Sequence, residues 1–210
     1  MSGAAVADVA AWVRACAERI HDEAALLTDL DAAIGDADHG SNLERGFQAA
    51  VAKLDGESYA GPGALLKAVG MALVSTVGGA SGPLYGTFFL RFGGSLEEAA
   101  TVDAAAFGAA LKAGVAGVQA RGKAEAGDKT MYDAWLPAVQ AYDDAVAGGG
   151  DLRAGLQAAA AAAAAARDAT ADMVARKGRA SYLGERSRGH QDPGATSTTM
   201  ILEAAAATLS

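Results

Sequence analysis

The sequence is short of cysteine, proline, aromatic residues and positive charge, and each shortage removes a class of protein. One cysteine among 210 residues excludes a disulfide framework within the chain, which fits a reducing compartment. Cys16 lies on a helical pattern among apolar neighbours and reads as a buried, inert thiol. Alternating Val, Ile, Thr and Tyr are scarce, which argues against a sheet. Aromatics are only 6% while hydrophobic residues reach 51%, so alanine carries much of the apolar content. Alanine is the best helix former, and the composition leans all-α. The formal net charge of −8 excludes nucleic acid and anionic membrane as partners, because both need a basic patch to displace counterions. A polyanionic ligand would then need metal ions or helix N-termini to receive it. Asp8, Arg14, Glu18 and Arg19 rule out a signal peptide, and the alanine run at 157–169 is too short to span a bilayer.

What is present is a succession of helical patterns separated by glycine-rich connections. Helices are expected over residues 6–27, 42–54, 64–77, 84–92, 102–120, 131–147, 151–177 and 197–209. That makes eight helices in one domain covering residues 1–210, with no repeat of fixed period. Val9, Val13, Cys16, Ile20 and Leu27 fall near one face of the first, and Pro137 is a candidate kink in the sixth. In an up-and-down antiparallel bundle, alternate connections lie at one end. The connections at 31–42, 78–83, 121–130 and 178–196 are therefore expected to converge on one site.

Their chemistry is uneven. "DAAIGDADHGSN" offers Asp31, Asp36 and Asp38, which are hard oxygen donors suited to Mg²⁺ or Ca²⁺ rather than zinc. Neither register satisfies a calcium-binding EF-hand loop: counting from Asp31 the sixth position is Asp36 instead of glycine, and counting from Asp36 the twelfth is Phe47. An open carboxylate set fits Mg²⁺ shared with phosphates; the alternative is a helix end with solvated aspartates. In "VGGASGPLYGT", Gly78 and Gly79 free the backbone and Ser81 and Pro83 suit a helix start, either as a phosphate site or as an ordinary connection. Pro83 and the lack of a preceding strand exclude a nucleophile elbow. "GVQARGKA" fails as a Walker A loop, because Ala124 stands where Ser or Thr must hold the metal. The late loop gathers Arg176, Lys177, Arg179, Arg186 and Arg188, either to balance phosphate charge or as a solvated surface. His39 and His190 lie in converging loops, whereas His21 reads as surface.

Together "DAAIGDADHGSNLERGF", "GGASGPLYGTFF", "GDKTMYDAWLPA" and "GRASYLGERSRGHQDPGATST" resemble the nucleotide-binding L subunits of dihydroxyacetone kinases, in the same order and over nearly the whole chain. The resemblance implies an eight-helix antiparallel barrel with ADP or ATP at one end. It implies that Asp31, Asp36 and Asp38 hold two Mg²⁺ ions and that His39, Gly40, Ser41 and Asn42 continue onto the nucleotide. Ala80 and Ser81 match a phosphate-contacting helix start, and Gly122, Thr130 and Met131 match positions near the nucleotide. Arg179 and the Asp192-Pro193-Gly194 turn match a lid. No covalent catalytic residue is implied, only positioning and electrostatics. The substrate sits on a separate K subunit. A free-standing L subunit resembles the phosphotransferase-system form, in which bound ADP is a coenzyme rephosphorylated by a phosphohistidine M subunit. The expected assembly is a cytoplasmic homodimer working with those partners. The alternatives are an ATP-exchanging subunit for another keto-sugar or polyol, and a non-catalytic helical module. Ala37 departs from the family's G-D-G-D-H-G, so this alanine must either keep an ordinary backbone or accept strain.

Overall fold

The computed structural model describes residues 3–209. Nine α-helices lie within them: α1 (Val6–Asp22), α2 (Ala24–Ile34), α3 (His39–Gly56), α4 (Pro62–Thr76), α5 (Ser81–Ser95), α6 (Ala104–Gly122), α7 (Met131–Ala147), α8 (Leu152–Ala169) and α9 (Pro193–Thr208). Short 3₁₀ turns cover Thr170–Asp172 and Arg179–Ser187. Among the described residues the only extended pairing joins Ala4 and Val102.

Several boundaries correct the sequence expectation, among them those of α5, which runs Ser81–Ser95 rather than over 84–92. The helix expected at 6–27 is broken at Glu23, whose φ of −105° and ψ of 13° leave the helical region, and the chain continues helical to Ile34. No glycine or proline marks that break. Asp31 consequently sits in the last turn of α2 rather than in a loop, and α3 opens at His39, three residues before the expected start. α8 ends at Ala169 rather than at 177, because the buried Thr170 hydroxyl donates to Arg167 O at 2.5 Å and accepts from Asp192 N at 2.9 Å. Asp192-Pro193 proves to be a helix start: the carboxylate accepts from Ala195 N at 2.7 Å, with proline at the first helical position.

Eight helices, α1 and α3 to α9, each pack on the next, and α9 closes on α1. The short α2 lies against α3 and α9. This is the expected eight-membered ring with one added element. Neighbours run antiparallel: Arg14 and His21 of α1 pair with Asp55 and Glu44 of α3, at 2.6 Å each, in reversed order. α4 and α5 meet backbone to backbone, since a Cβ on Gly63 or Gly70 would lie within 3 Å of the carbonyl of Gly93 or Gly86. Glycines there set the helix spacing, and alanine would force the pair apart.

The core is aromatic despite the small number of rings. Trp12 of α1 sits within 6.0 Å of Phe89, Phe92 and Phe107, and its Nε1 donates to Ile201 O at 3.0 Å. Phe88 stacks on Trp135 at 4.3 Å. Truncating one of these rings to alanine costs about 3–5 kcal/mol. Val9, Val13, Cys16, Ile20 and Leu27 are all buried, as their spacing implied. Burial raises the Cys16 thiol far above its ordinary value, so it stays protonated. α7 runs through Pro137.

Candidate functional site

With antiparallel neighbours, the starts of α3, α5, α7 and α9 fall at one end of the ring. They line a cavity of about 300 Å³ together with the end of α2 and the segment around Arg179. The convergence expected from alternate connections is present.

The acidic corner is built by two helices and the bend between them. One carboxylate oxygen of each of Asp31, Asp36 and Asp38 lies within 4.8 Å of the others. Asp31, from α2, is nearly buried, and its Oδ2 accepts from Asp38 N at 2.9 Å and His39 N at 3.2 Å. It thereby takes up N–H groups at the α3 start that no side chain caps. Gly35 makes this possible, because a Cβ there would collide with the Asp31 carboxylate. Ala37 has a φ of +60° and so accepts the strain foreseen for it. Exposed Asp36 meets Arg179 Nε at 2.8 Å. Three clustered carboxylates balanced by a single guanidinium, all hard oxygen donors, fit a divalent ion.

Next to them, His39 is buried between two hydroxyls, with Nε2 2.9 Å from Ser197 Oγ and Nδ1 3.0 Å from Ser81 Oγ. Burial pushes its imidazole down to about 4, partly offset by Asp31 and Asp38, so it is neutral near pH 7. A neutral imidazole without a carboxylate partner is a poor base for Ser81. Its role is to tie the starts of α3, α5 and α9 together. Tyr85 extends the tie, donating to Gly194 O at 3.0 Å, with Ser197 Oγ 2.6 Å away.

The α5 start, Ala80-Ser81, has no side-chain cap, and Gly79 before it adopts a φ of +65°. Its amides are free for an anion. At α7, Thr130 Oγ1 accepts from Tyr132 N at 3.1 Å and Asp133 Oδ2 accepts from Thr130 N at 2.8 Å. At α9 the Asp192 carboxyl is buried and pushed up to about 7, mainly by desolvation.

Of the residues expected at the site, Asp31, Asp36, Asp38, His39, Ala80, Ser81, Gly122, Thr130, Met131, Arg179, Asp192, Pro193 and Gly194 line this cavity. Gly40, Ser41 and Asn42 do not. Gly40 packs against Ala24 O, Ser41 Oγ donates to Asp38 O at 3.1 Å, and Asn42 Oδ1 accepts from Arg45 at 2.6 Å. They lie in the first turn of α3. Exposed His190 contributes its carbonyl rather than its ring, which receives Lys129 Nζ at 2.6 Å, and exposed His21 pairs with Glu44. Sequence reasoning missed Lys129, a cavity residue only 1% exposed. A lysine between Asp128 and Thr130 in a polar loop gives no sign of burial.

The DAK2 domain family matches residues 33–207. The ADP-binding subunit DhaL of the PEP-dependent dihydroxyacetone kinase of Escherichia coli is 45% identical over 91% of both chains. A counterpart from Listeria innocua is 42% identical over 92% of this chain and 91% of its own. Among solved structures, the dihydroxyacetone kinase of C. freundii in complex with AMP-PNP and Mg²⁺ superposes with a TM-score of 0.74 at 29% identity. That match covers 99% of this chain and 35% of the kinase, so the chain spans about a third of that protein.

Proposed function

Because the chain belongs to the DAK2 domain family, we propose that it is the ADP-binding subunit of a dihydroxyacetone kinase. One observation carries this reading: a carboxylate trio and an uncapped helix start line a single cavity. The carboxylates suit divalent cations, and the free amides of α5 suit phosphate oxygens. Asp31, Asp36 and Asp38 would hold two Mg²⁺ ions. When bound, those ions would neutralise phosphate oxygens and so assist transfer of a phosphoryl group.

The chain's own residues bind and orient. Ala80 and Ser81 present the α5 amides to the phosphates. Gly122, Thr130 and Met131 also line the cavity, and there Met131 meets the adenine. Arg179 stands over the acidic corner and closes on the nucleotide with Asp192, Pro193 and Gly194. Gly40, Ser41 and Asn42, in the first turn of α3, continue from His39 onto the nucleotide. We assign no side chain here a covalent role in the relay. The acceptor hydroxyl is supplied by a K subunit carrying dihydroxyacetone. A phosphohistidine M subunit recharges the bound ADP. High identity over most of the length of free-standing ADP-binding subunits favours this relay over free ATP exchange.

We read the chain as one domain, residues 1–210, working as a homodimer in the cytoplasm. No helix among the described residues is long and apolar enough to cross a membrane. The deciding experiment denatures purified protein and identifies the released nucleotide. Stoichiometric ADP supports the coenzyme reading, whereas a nucleotide-free protein that binds no ADP with Mg²⁺ overturns it.

A further inference from the structure

Lys129 is the most deeply buried cation of the molecule's described residues, and the relay above leaves it without a role. It is 1% exposed, and its φ of +61° is a conformation that lysine rarely adopts. Its ammonium donates to three backbone carbonyls: Met173 at 3.2 Å, Ser187 at 2.6 Å and His190 at 2.6 Å. A lysine ammonium has three protons, so each has one acceptor.

The positions of those acceptors matter. Met173 opens the segment that carries Arg179, Ser187 closes its 3₁₀ turn, and His190 lies two residues before the Asp192 cap of α9. One ammonium therefore closes the base of the whole excursion from 173 to 190. Arg176 N, which donates to Asp128 O at 3.0 Å, sews the same segment to the residue beside Lys129. Ser187 Oγ, accepting from Ala175 N at 2.9 Å and donating to Gly184 O at 2.7 Å, braces it internally. On the other side, Lys129 runs directly into Thr130 and Met131, which border the cavity.

We propose that Lys129 is the positioning residue of the nucleotide site, a clamp that fixes the 173–190 segment to the start of α7 and so sets how slowly nucleotide leaves. The proposal rests on the nucleotide reading above. A buried ammonium shared among carbonyls is costly to half-satisfy, so the clamp is either closed or open as a unit. Opening it unseats Arg179 and loosens the α9 start together. Mutation of a surface lysine in the same segment, such as Lys177, breaks no such set.

The test chases a fluorescent ADP analogue from Mg²⁺-loaded protein with excess ADP, for wild type and Lys129→Met. Release is expected to quicken about tenfold or more while association changes less than about twofold. Amide exchange at Ala175, Arg176 and Gly189 should accelerate ahead of α1 and α5 core amides. Unchanged release overturns the clamp, as does a loss of protection spread evenly over the fold. If Lys129→Met does not fold, wild-type exchange decides: Mg²⁺ and ADP must slow those three amides together, and independent behaviour overturns the proposal. A wild type that binds no ADP removes the nucleotide reading and the clamp with it. Normal binding with unaltered release in Lys129→Met removes the clamp alone.

Discussion

At the far end of the ring, α6 and α8 start at Asp103 and Asp151, whose carboxylates accept from Ala106 N at 2.8 Å and Ala154 N at 2.9 Å. At the site end, α3 and α5 start at Asp38 and Ala80, and neither has a side-chain cap. Both ends offer helix N-termini with the same partial positive charge. At the far end α6 and α8 spend amides on their own aspartates while α4 starts uncapped at Gly61, and at the site end α7 and α9 are capped by Thr130 and Asp192. The site end leaves those of α5 free and lends those of α3 to Asp31, a carboxylate from another helix. An uncapped start alone does not distinguish the ends; what sets α5 apart from α4 is the carboxylate trio that lines the same cavity.

The comparison can be broken most severely at the trio. Asp36→Asn should weaken Mg²⁺-dependent ADP binding about 100-fold or more, measured by titration calorimetry with and without Mg²⁺. An unchanged affinity would show that the trio is a solvated helix end. Next is the buried N-cap carboxylate of α9. The Asp192 carboxyl, raised to about 7 in the fold, favours the protonated native state. The stability it confers is full below the unfolded value near 4 and is lost as pH rises toward 7. Between pH 4.5 and 7.5 the nucleotide-free chain should lose about 2–4 kcal/mol from this group, and Asp192→Asn should flatten that slope in urea melts.

The exposed far-end caps should behave in the ordinary way. Asp151→Ala should cost about 1 kcal/mol of stability with no change in ADP affinity. A change in affinity would mean that the two ends are coupled. The smallest effect belongs to Ala37. Relief of its left-handed strain, about 1–2 kcal/mol, is offset by the entropy of glycine, about 0.5–1 kcal/mol. Ala37→Gly should therefore stabilise the chain by about 0.5 kcal/mol in thermal melts, and a destabilised variant would mean that the positive φ costs this alanine nothing.

The elements were legible where local chemistry and packing agreed. Met131 to Ala147 is recovered to the residue because Thr130 and Asp133 form a reciprocal cap, a signal contained within four positions. The buried face of α1 follows from spacing alone. The break at Glu23 was not legible, since it is imposed by the packing of α2 on α3 and α9 rather than by a breaker residue. Asp192-Pro193-Gly194 carries turn and cap signals at once, and the buried Thr170 hydroxyl decides between them. At the site, Asp31, Asp36 and Asp38 were visible as clustered hard donors. Gly40, Ser41 and Asn42 lie in the first turn of α3, outside the residues that line the cavity. Lys129 was invisible, because its three acceptors are backbone carbonyls 44 to 61 positions along the chain.

By itself the sequence determined the all-α class, the core faces, the convergence of alternate connections and the clustering of hard oxygen donors at Asp31, Asp36 and Asp38. These follow from periodicity, from parity in an antiparallel ring and from the chemistry of oxygen ligands, all of which are local or nearly so. Only the tertiary structure decided which amides stay uncapped, that Asp31 reaches them from a neighbouring helix, and that a buried ammonium closes the segment over the cavity. Those depend on distances between elements remote in the chain, and no residue carries its partner's position in its own identity.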